Sequence, residues 1–260
     1  MKTLSKSLFL SVALVLLANS PAAADLKIGV AAEPYAPFSS KDASGKWVGW
    51  EVDVMDALCA EMKEKCELVE TAWDGIIPAL TAKKINVIMS SMSITAKRKE
   101  TIGFSNAYYA SAAVLVGAKN GDMDITPAHL AGKTIGVQVS TIHAAYLDKY
   151  YAATSTVKTY QTQDEVDQDL AAGRIDYVMA NGTALDGFLK SDQGGCCEAK
   201  GAVPTDVAIL GEGVGAGVRK EDRATAEKFN TAIAALAAAG KFDAITAKYG
   251  LTGQITTPAK

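Results

Sequence analysis

The chain has 260 residues, with 26 Lys and Arg against 29 Asp and Glu, a net charge of −3. That length allows one large domain or two smaller lobes. The acidic balance argues against nucleic acid or an anionic membrane surface as the main partner, and two histidines are too few for a rich metal site.

The first stretch, "MKTLSKSLFLSVALVLLANSPAAAD", places Lys2 and Lys6 before an apolar run from Leu8 to Ala18 and closes on Ala22-Ala23-Ala24. A basic start, a short apolar core and an A-x-A pattern predict a signal peptide over residues 1–24, cleaved before Asp25. The apolar run falls short of the ~18–20 residues of a membrane-spanning helix. With no cysteine at the cleavage site to accept a lipid, the expected product is free and soluble. Its charge is −5, from 24 cations and 29 acids.

The next elements alternate. "LKIGV" reads as a strand, and Val52, Met55, Leu58, Cys59 and Met62 mark a helix. Cys59 and Cys66 would lie about 10.5 Å apart in one continuous helix, too far for a bridge. A bridge is favoured, and it requires the helix to end near Lys63–Lys65 and the chain to turn back. Cys196-Cys197 allow either a vicinal bridge or two free thiols. "INVIMSS", "TIGVQV", a polar helix near Gln163–Ala172 and "IDYVMAN" follow. This alternation predicts an α/β chain with mostly parallel sheets.

An internal echo divides it. "LTAKKINVIMSS" (Leu80–Ser91) matches "LAAGRIDYVMAN" (Leu170–Asn181) in pattern, and each lies downstream of an "IGV" strand. Two similar lobes are expected; one doubly wound sheet is the alternative. "AYYASAAVLVGAKNGD" suits a crossing and "VAILGEGVGAGVRKED" a return, with crossings near Ala110–Val114 and Asp206–Glu212. The expected division is 25–110 with 212–260 for lobe 1, and 111–211 for lobe 2, with hinge strands at its ends. A long helix over Glu221–Ala239, closed by Gly240, and a short one around Phe242–Tyr249 then return to the first lobe.

In open α/β sheets, ligands sit beyond the carboxyl ends of strands. The echoed strands end in Ser90-Ser91 and in Asn181, so facing lobes bring these into one cleft. After the first, "SITAKRKE" offers Thr95 as an N-cap and three cations in the turn that follows. Cations at a helix start oppose its dipole unless an anion sits there. Lys97 and Lys99 read as solvated charges. Arg98, beside three serines, reads as an anion site, because its planar fork can bond both oxygens of a carboxylate.

"PYAPFSS", "WVGWEVDVMDALC", "WDGIIPALTAKKINVIMSSMSITAKRKETIGFS", "KTIGVQVST", "DLAAGRIDYVMAN" and "GVGAGVRKED" occur in this order over nearly the whole exported chain. They resemble the periplasmic amino-acid-binding proteins that feed ABC importers, the family 3 extracellular solute-binding proteins, in the branch that takes lysine, arginine, ornithine, histidine and opines. The resemblance implies the type II two-lobed fold with two hinge crossings, an amino acid or opine as ligand, an inner-membrane permease as partner, a monomer, and no cofactor. It also supports the Cys59–Cys66 bridge. Arg98 looks like the residue that clamps the ligand carboxylate, with Ser91 and Ser93 as its hydroxyl and backbone partners and Ser90 lining the cleft. Thr141, with the backbone of Ile142, falls where the second lobe donates to that carboxylate. Tyr35 and Trp50 match the aromatic pair around the ligand side chain, and His143 a polar cleft position.

Two departures stand out. The usual aspartate for the α-ammonium falls on Asn181, which carries no charge, and this makes opine-like ligands more plausible. An acid that reads a basic side chain would be Glu33, or else Glu51. No G-x-S-x-G or C-x-x-C occurs, so no catalytic or metal-binding residues are expected. "AGKT" at Ala131–Thr134 is similar to a phosphate loop but lacks the upstream glycine and precedes a strand, and "GEGVGAG" lies in the wrong context for a nucleotide site. The runner-up function is a periplasmic dehydratase-like enzyme on this fold, with Glu33 as its acid. A sensory domain would need an attached signalling segment.

Overall fold

A computed structural model describes residues 25–259; the expected signal peptide lies outside them. Two five-stranded sheets organise the chain. The first contains β1 (Leu26–Ala31), β4 (Cys66–Thr71), β5 (Val87–Ile88), β6 (Ile102–Tyr109) and β12 (Val214–Arg219), in the order β4-β1-β5-β12-β6. The second contains β7 (Ala113–Ala118), β8 (Thr134–Gln138), β9 (Thr156–Tyr160), β10 (Tyr177–Asn181) and β11 (Cys197–Ala202), in the order β11-β7-β10-β8-β9. A small ribbon, β2 (Ser40–Lys41) with β3 (Trp47–Val48), stands beside the first.

The sheets are mixed rather than mostly parallel. β1 pairs in parallel with β4 and β5, and β8 with β9 and β10. The strands on either side of the two passages between sheets, β6 with β12 and β7 with β11, pair antiparallel. The chain passes from one sheet to the other over residues 110–112 and returns over 203–213. A strand arriving from the neighbouring sheet is not preceded by a crossover within its own sheet, the connection that makes successive strands parallel.

The echo has a structural cause. Gly29 and Gly136 occupy equivalent places in their sheets, and a Cβ on either would meet Ile85 at 2.3 Å or Ile175 at 2.5 Å. Those two isoleucines occupy the same position of the repeated pattern, so in each lobe a glycine admits the isoleucine that seals the next strand. Lys83 and Gly173, two residues before, both adopt positive φ (61° and 69°).

Helices cover both sheets: α1 (Trp50–Met62), α2 (Ile76–Thr81), α3 (Ala96–Lys99), α4 (Ile142–Tyr150), α5 (Gln163–Ala171), α6 (Gly182–Leu189), α7 (Val207–Leu210), α8 (Arg223–Ala238) and α9 (Lys241–Lys248). α1 ends at Lys63 in the left-handed region, and Glu64 N–H bonds back to Cys59 O. This reversal brings Cys59 and Cys66 to a Cα separation of 6.2 Å, and they are disulfide-bonded. Cys196 and Cys197 are bonded to each other. α8 packs on α1, β6 and β12, and its Phe229 and Ile233 share the first lobe's core with Phe242 of α9. The terminal helices therefore complete the first lobe.

Candidate functional site

A cavity of about 310 Å³ lies between the two sheets, at the low end of the ~300–1,000 Å³ typical of small-molecule pockets. Tyr35, Ser90, Ser91, Ser93, Arg98, Thr141, Ile142, His143, Asn181 and Glu33 line it, so ten of the eleven anticipated ligand residues meet in one place.

Trp50 is the exception. It is 0% exposed, its Nε1 donates to Thr246 Oγ1 at 3.0 Å, and its ring packs edge-on against Phe38 and Tyr109. As the first residue of α1 it points into the core beneath α9. Trp73 takes the cleft position instead, just before α2, with the Arg98 guanidinium 5.5 Å from its ring centre. Its signal was the tryptophan that opens "WDGIIPAL".

Arg98 stands on α3, a single turn capped by Thr95, whose Oγ1 accepts Arg98 N–H at 3.2 Å. Lys97 and Lys99 pair with Glu100 and Glu212 at the surface. The guanidinium instead turns into the cleft, donating to Ser93 O at 3.0 Å and, across it, to Ser140 O at 3.3 Å. Burial lowers its pKa to about 10, which leaves it cationic at neutral pH, and no carboxylate among the described residues pairs with it. An unpaired cation in a closed cleft is an incomplete ion pair. The first turn of α4 faces the same space. Thr141 caps it, donating its hydroxyl to Gln138 O and accepting Ala144 N–H. Its hydroxyl is thus engaged, and the second lobe's donors are the backbone N–H groups at the start of α4. His143 is held neutral by burial and by Arg98, with its pKa lowered to about 3.

The two poles at the strand ends differ from the sequence expectation. Ser91, at φ 53°, donates its N–H to both oxygens of Glu51 (2.8 and 2.9 Å) and its hydroxyl to Oε2 at 3.0 Å. It therefore has no donor left for a carboxylate, whereas no described residue engages the N–H or hydroxyl of Ser93. Glu51 does not read a ligand side chain. It is 2% exposed, lies behind Ser91, and also accepts from Tyr108 Oη. Burial raises its pKa, and the Tyr108 and Ser91 hydrogen bonds oppose that. Asn181 caps α6: its Oδ1 accepts Thr183 N–H at 2.9 Å and the Ser111 hydroxyl at 3.0 Å. Glu33 lines the cleft and accepts Trp73 N–H at 3.2 Å. Ser90 Oγ accepts Ala31 N–H at 2.9 Å, and Tyr35 stacks on Phe38. Gln138 and Gln163 also line the cavity, and nothing in their local pattern marked them.

Residues 26–252 match the bacterial extracellular solute-binding proteins, family 3. The chain belongs to that family. The solute-binding protein is 43% identical to the L-arginine-binding protein of Pseudomonas aeruginosa over 230 residues, 86% of this chain and 87% of that one. It is 40% identical to the histidine-binding periplasmic protein of Salmonella typhimurium over 251 residues, 94% of this chain and 96% of the other. Among solved structures, an ancestral arginine-binding protein bound to arginine superposes with a TM-score of 0.79 at 30% identity, covering 86% of this solute-binding protein and 97% of that chain. The type II two-lobed architecture is thus common to both. Among the described residues no helix is long and apolar enough to cross a membrane.

Proposed function

We propose that this protein is a monomeric periplasmic receptor that captures a polar amino acid with a basic side chain, or an opine, and delivers it to an inner-membrane ABC permease without transforming it. The observation that carries this is Arg98: a cation in the cleft, tied to both lobes by carbonyl oxygens and without an acidic partner among the described residues. A ligand carboxylate completes the pair, joined by Ser93 and the first N–H groups of α4. Tyr35 and Trp73 offer flat faces to a side chain, and Glu33 offers a charge to a basic one. Residues 25–110 with 212–260 act as one lobe and 111–211 as the other, with the two passages serving as hinges.

Calorimetric titration with arginine, ornithine, lysine, histidine and an opine tests this, together with analysis of the recovered ligand. Saturable binding of at least one, recovered unchanged, is expected. Binding of none, or turnover of a bound compound, contradicts it. The dehydratase-like reading requires an acid placed to donate a proton, and turnover of a bound compound in this experiment is the result that would favour it.

A further inference from the structure

The cleft lacks an acid at Asn181, yet a carboxylate lies directly behind the facing strand end. Glu51 is buried in the first turn of α1, and no cation among the described residues pairs with it. Three of its hydrogen bonds come from one cleft residue, Ser91, whose backbone N–H and hydroxyl both point at it. Ser91 also stands in the left-handed region, which a non-glycine residue adopts only when its surroundings hold it there. Glu51 is the group that holds it.

The consequence is a polarity. With both donors turned inward, Ser91 can show the cleft only its carbonyl oxygen and the remaining lone pairs of its hydroxyl. No described residue donates to that carbonyl. Asn181, at the equivalent strand end of the other lobe, is the reverse. Its side-chain oxygen is fixed by the Thr183 backbone N–H, which can only donate, so the amide NH₂ is what remains for the cleft. Of the two strand ends, lobe 1 accepts and lobe 2 donates.

Resting on the reading of the cleft as a carboxylate-anchored amino-acid site, we propose that Glu51 is the counter-charge for the ligand's α-ammonium, acting through Ser91 as a positioning residue. The ammonium sits against Ser91 oxygen atoms, and the Glu51 charge polarises the serine hydroxyl whose proton it holds. Asn181 then meets an acceptor of the ligand rather than its cation. Glu33 is a separate acid, engaged with Trp73 N–H, and serves the far end of the ligand.

Matched probes test this on the full exported chain: arginine and 5-guanidinopentanoate, which keeps the carboxylate and guanidinium and lacks only the ammonium. The wild type should bind arginine at least tenfold tighter. Glu51→Gln, which keeps the shape, should lower arginine affinity tenfold or more and change 5-guanidinopentanoate affinity less than threefold. Should Glu51→Gln fail to fold, Ser91→Gly accepts the same φ and removes the hydroxyl, and it should show the same selective loss. An equal loss for both probes assigns Glu51 a structural role and overturns the proposal while leaving the cleft reading intact. An unchanged arginine affinity overturns it as well. If neither probe binds the wild type, the pair is whichever of the five titrated ligands binds and its deamino analogue; if none of the five binds, the cleft reading falls, and the proposal with it.

Discussion

The indole nitrogen of Trp73 donates to the backbone carbonyl of Val139 at 3.1 Å, joining the two lobes beside the cavity that Trp73 lines. Together with the Arg98 bond to Ser140 O, it ties the lobes to each other at the cavity that Arg98 and Tyr35 also line. Both carbonyls belong to the short turn between β8 and α4, so the turn that presents the α4 N–H groups also latches to the first lobe. If this latch belongs to a hinge motion, small-angle scattering should show the radius of gyration falling when a binding ligand is added. Trp73→Phe keeps a ring for the ligand but removes the latch. It should bind more weakly and show a larger ligand-free radius, and identical radii in every state would contradict the closing mechanism.

Asn181→Asp keeps the α6 cap, because aspartate offers the same oxygen to Thr183 N–H and the Ser111 hydroxyl. It replaces the amide NH₂ facing the cleft with a second carboxylate oxygen. Affinity for a plain amino acid such as arginine should fall, since the ligand acceptor that met the amide NH₂ now meets a carboxylate oxygen. Affinity for an opine should fall, since its extra carboxylate meets like charge. Calorimetry with the two ligands reads both changes, and a rise in arginine affinity would contradict the donor assignment of Asn181.

Two groups, the half-buried Asp167 and the buried His143, pull stability in opposite directions with pH. Burial raises the Asp167 carboxyl from 3.8 to about 7, against the Gln163 hydrogen bond that lowers it. The folded chain therefore holds the extra proton between these values, and stability declines as pH rises through that window. His143 is lowered from 6.5 to about 3, so there the unfolded chain holds the extra proton and stability increases with pH. Each tenfold in proton affinity is about 1.4 kcal/mol, so Asp167→Asn should stabilise by roughly 2–4 kcal/mol at pH 8 and by far less at pH 5. Denaturant unfolding at the two pH values measures the difference, and an equal effect at both would contradict the assignment.

The Cys59–Cys66 bridge closes a short loop between the end of α1 and the start of β4. Constraining so few residues restricts the unfolded chain modestly, so Cys59→Ser with Cys66→Ser should cost roughly 2 kcal/mol. Ligand affinity should stay within threefold, because the bridge lies away from the cavity-lining residues. A large loss of affinity without loss of stability would contradict that separation.

Much of this was legible in the sequence because it rests on local signals. The alternation of strands and helices, the two "IGV" segments and the repeated isoleucine each mark a packing constraint within about a dozen residues. The direction of β6, β7, β11 and β12 was not legible, because it depends on how the chain enters each sheet from the other. Trp50 and Trp73 show the same limit at the site. Both stand in short motifs that suit a cleft, but Trp50 is fixed by Thr246, a partner 196 residues away. What Ser91 and Asn181 can offer to the cleft was not legible for a related reason. A residue type states what it can donate or accept, while its neighbours Glu51, Thr183 and Ser111 decide what remains for a ligand.

The proposed function stands on Arg98 holding a ligand carboxylate between the lobes, and calorimetry on three proteins is its sharpest test. With arginine or whichever tested amino acid binds the wild type, Arg98→Ala should lose about 2–5 kcal/mol of binding free energy, the range found when a buried charge is left unpaired. Arg98→Lys keeps the charge but not the fork, and should recover only part of that loss. Wild-type affinity in Arg98→Ala would contradict the claim and place the binding site elsewhere.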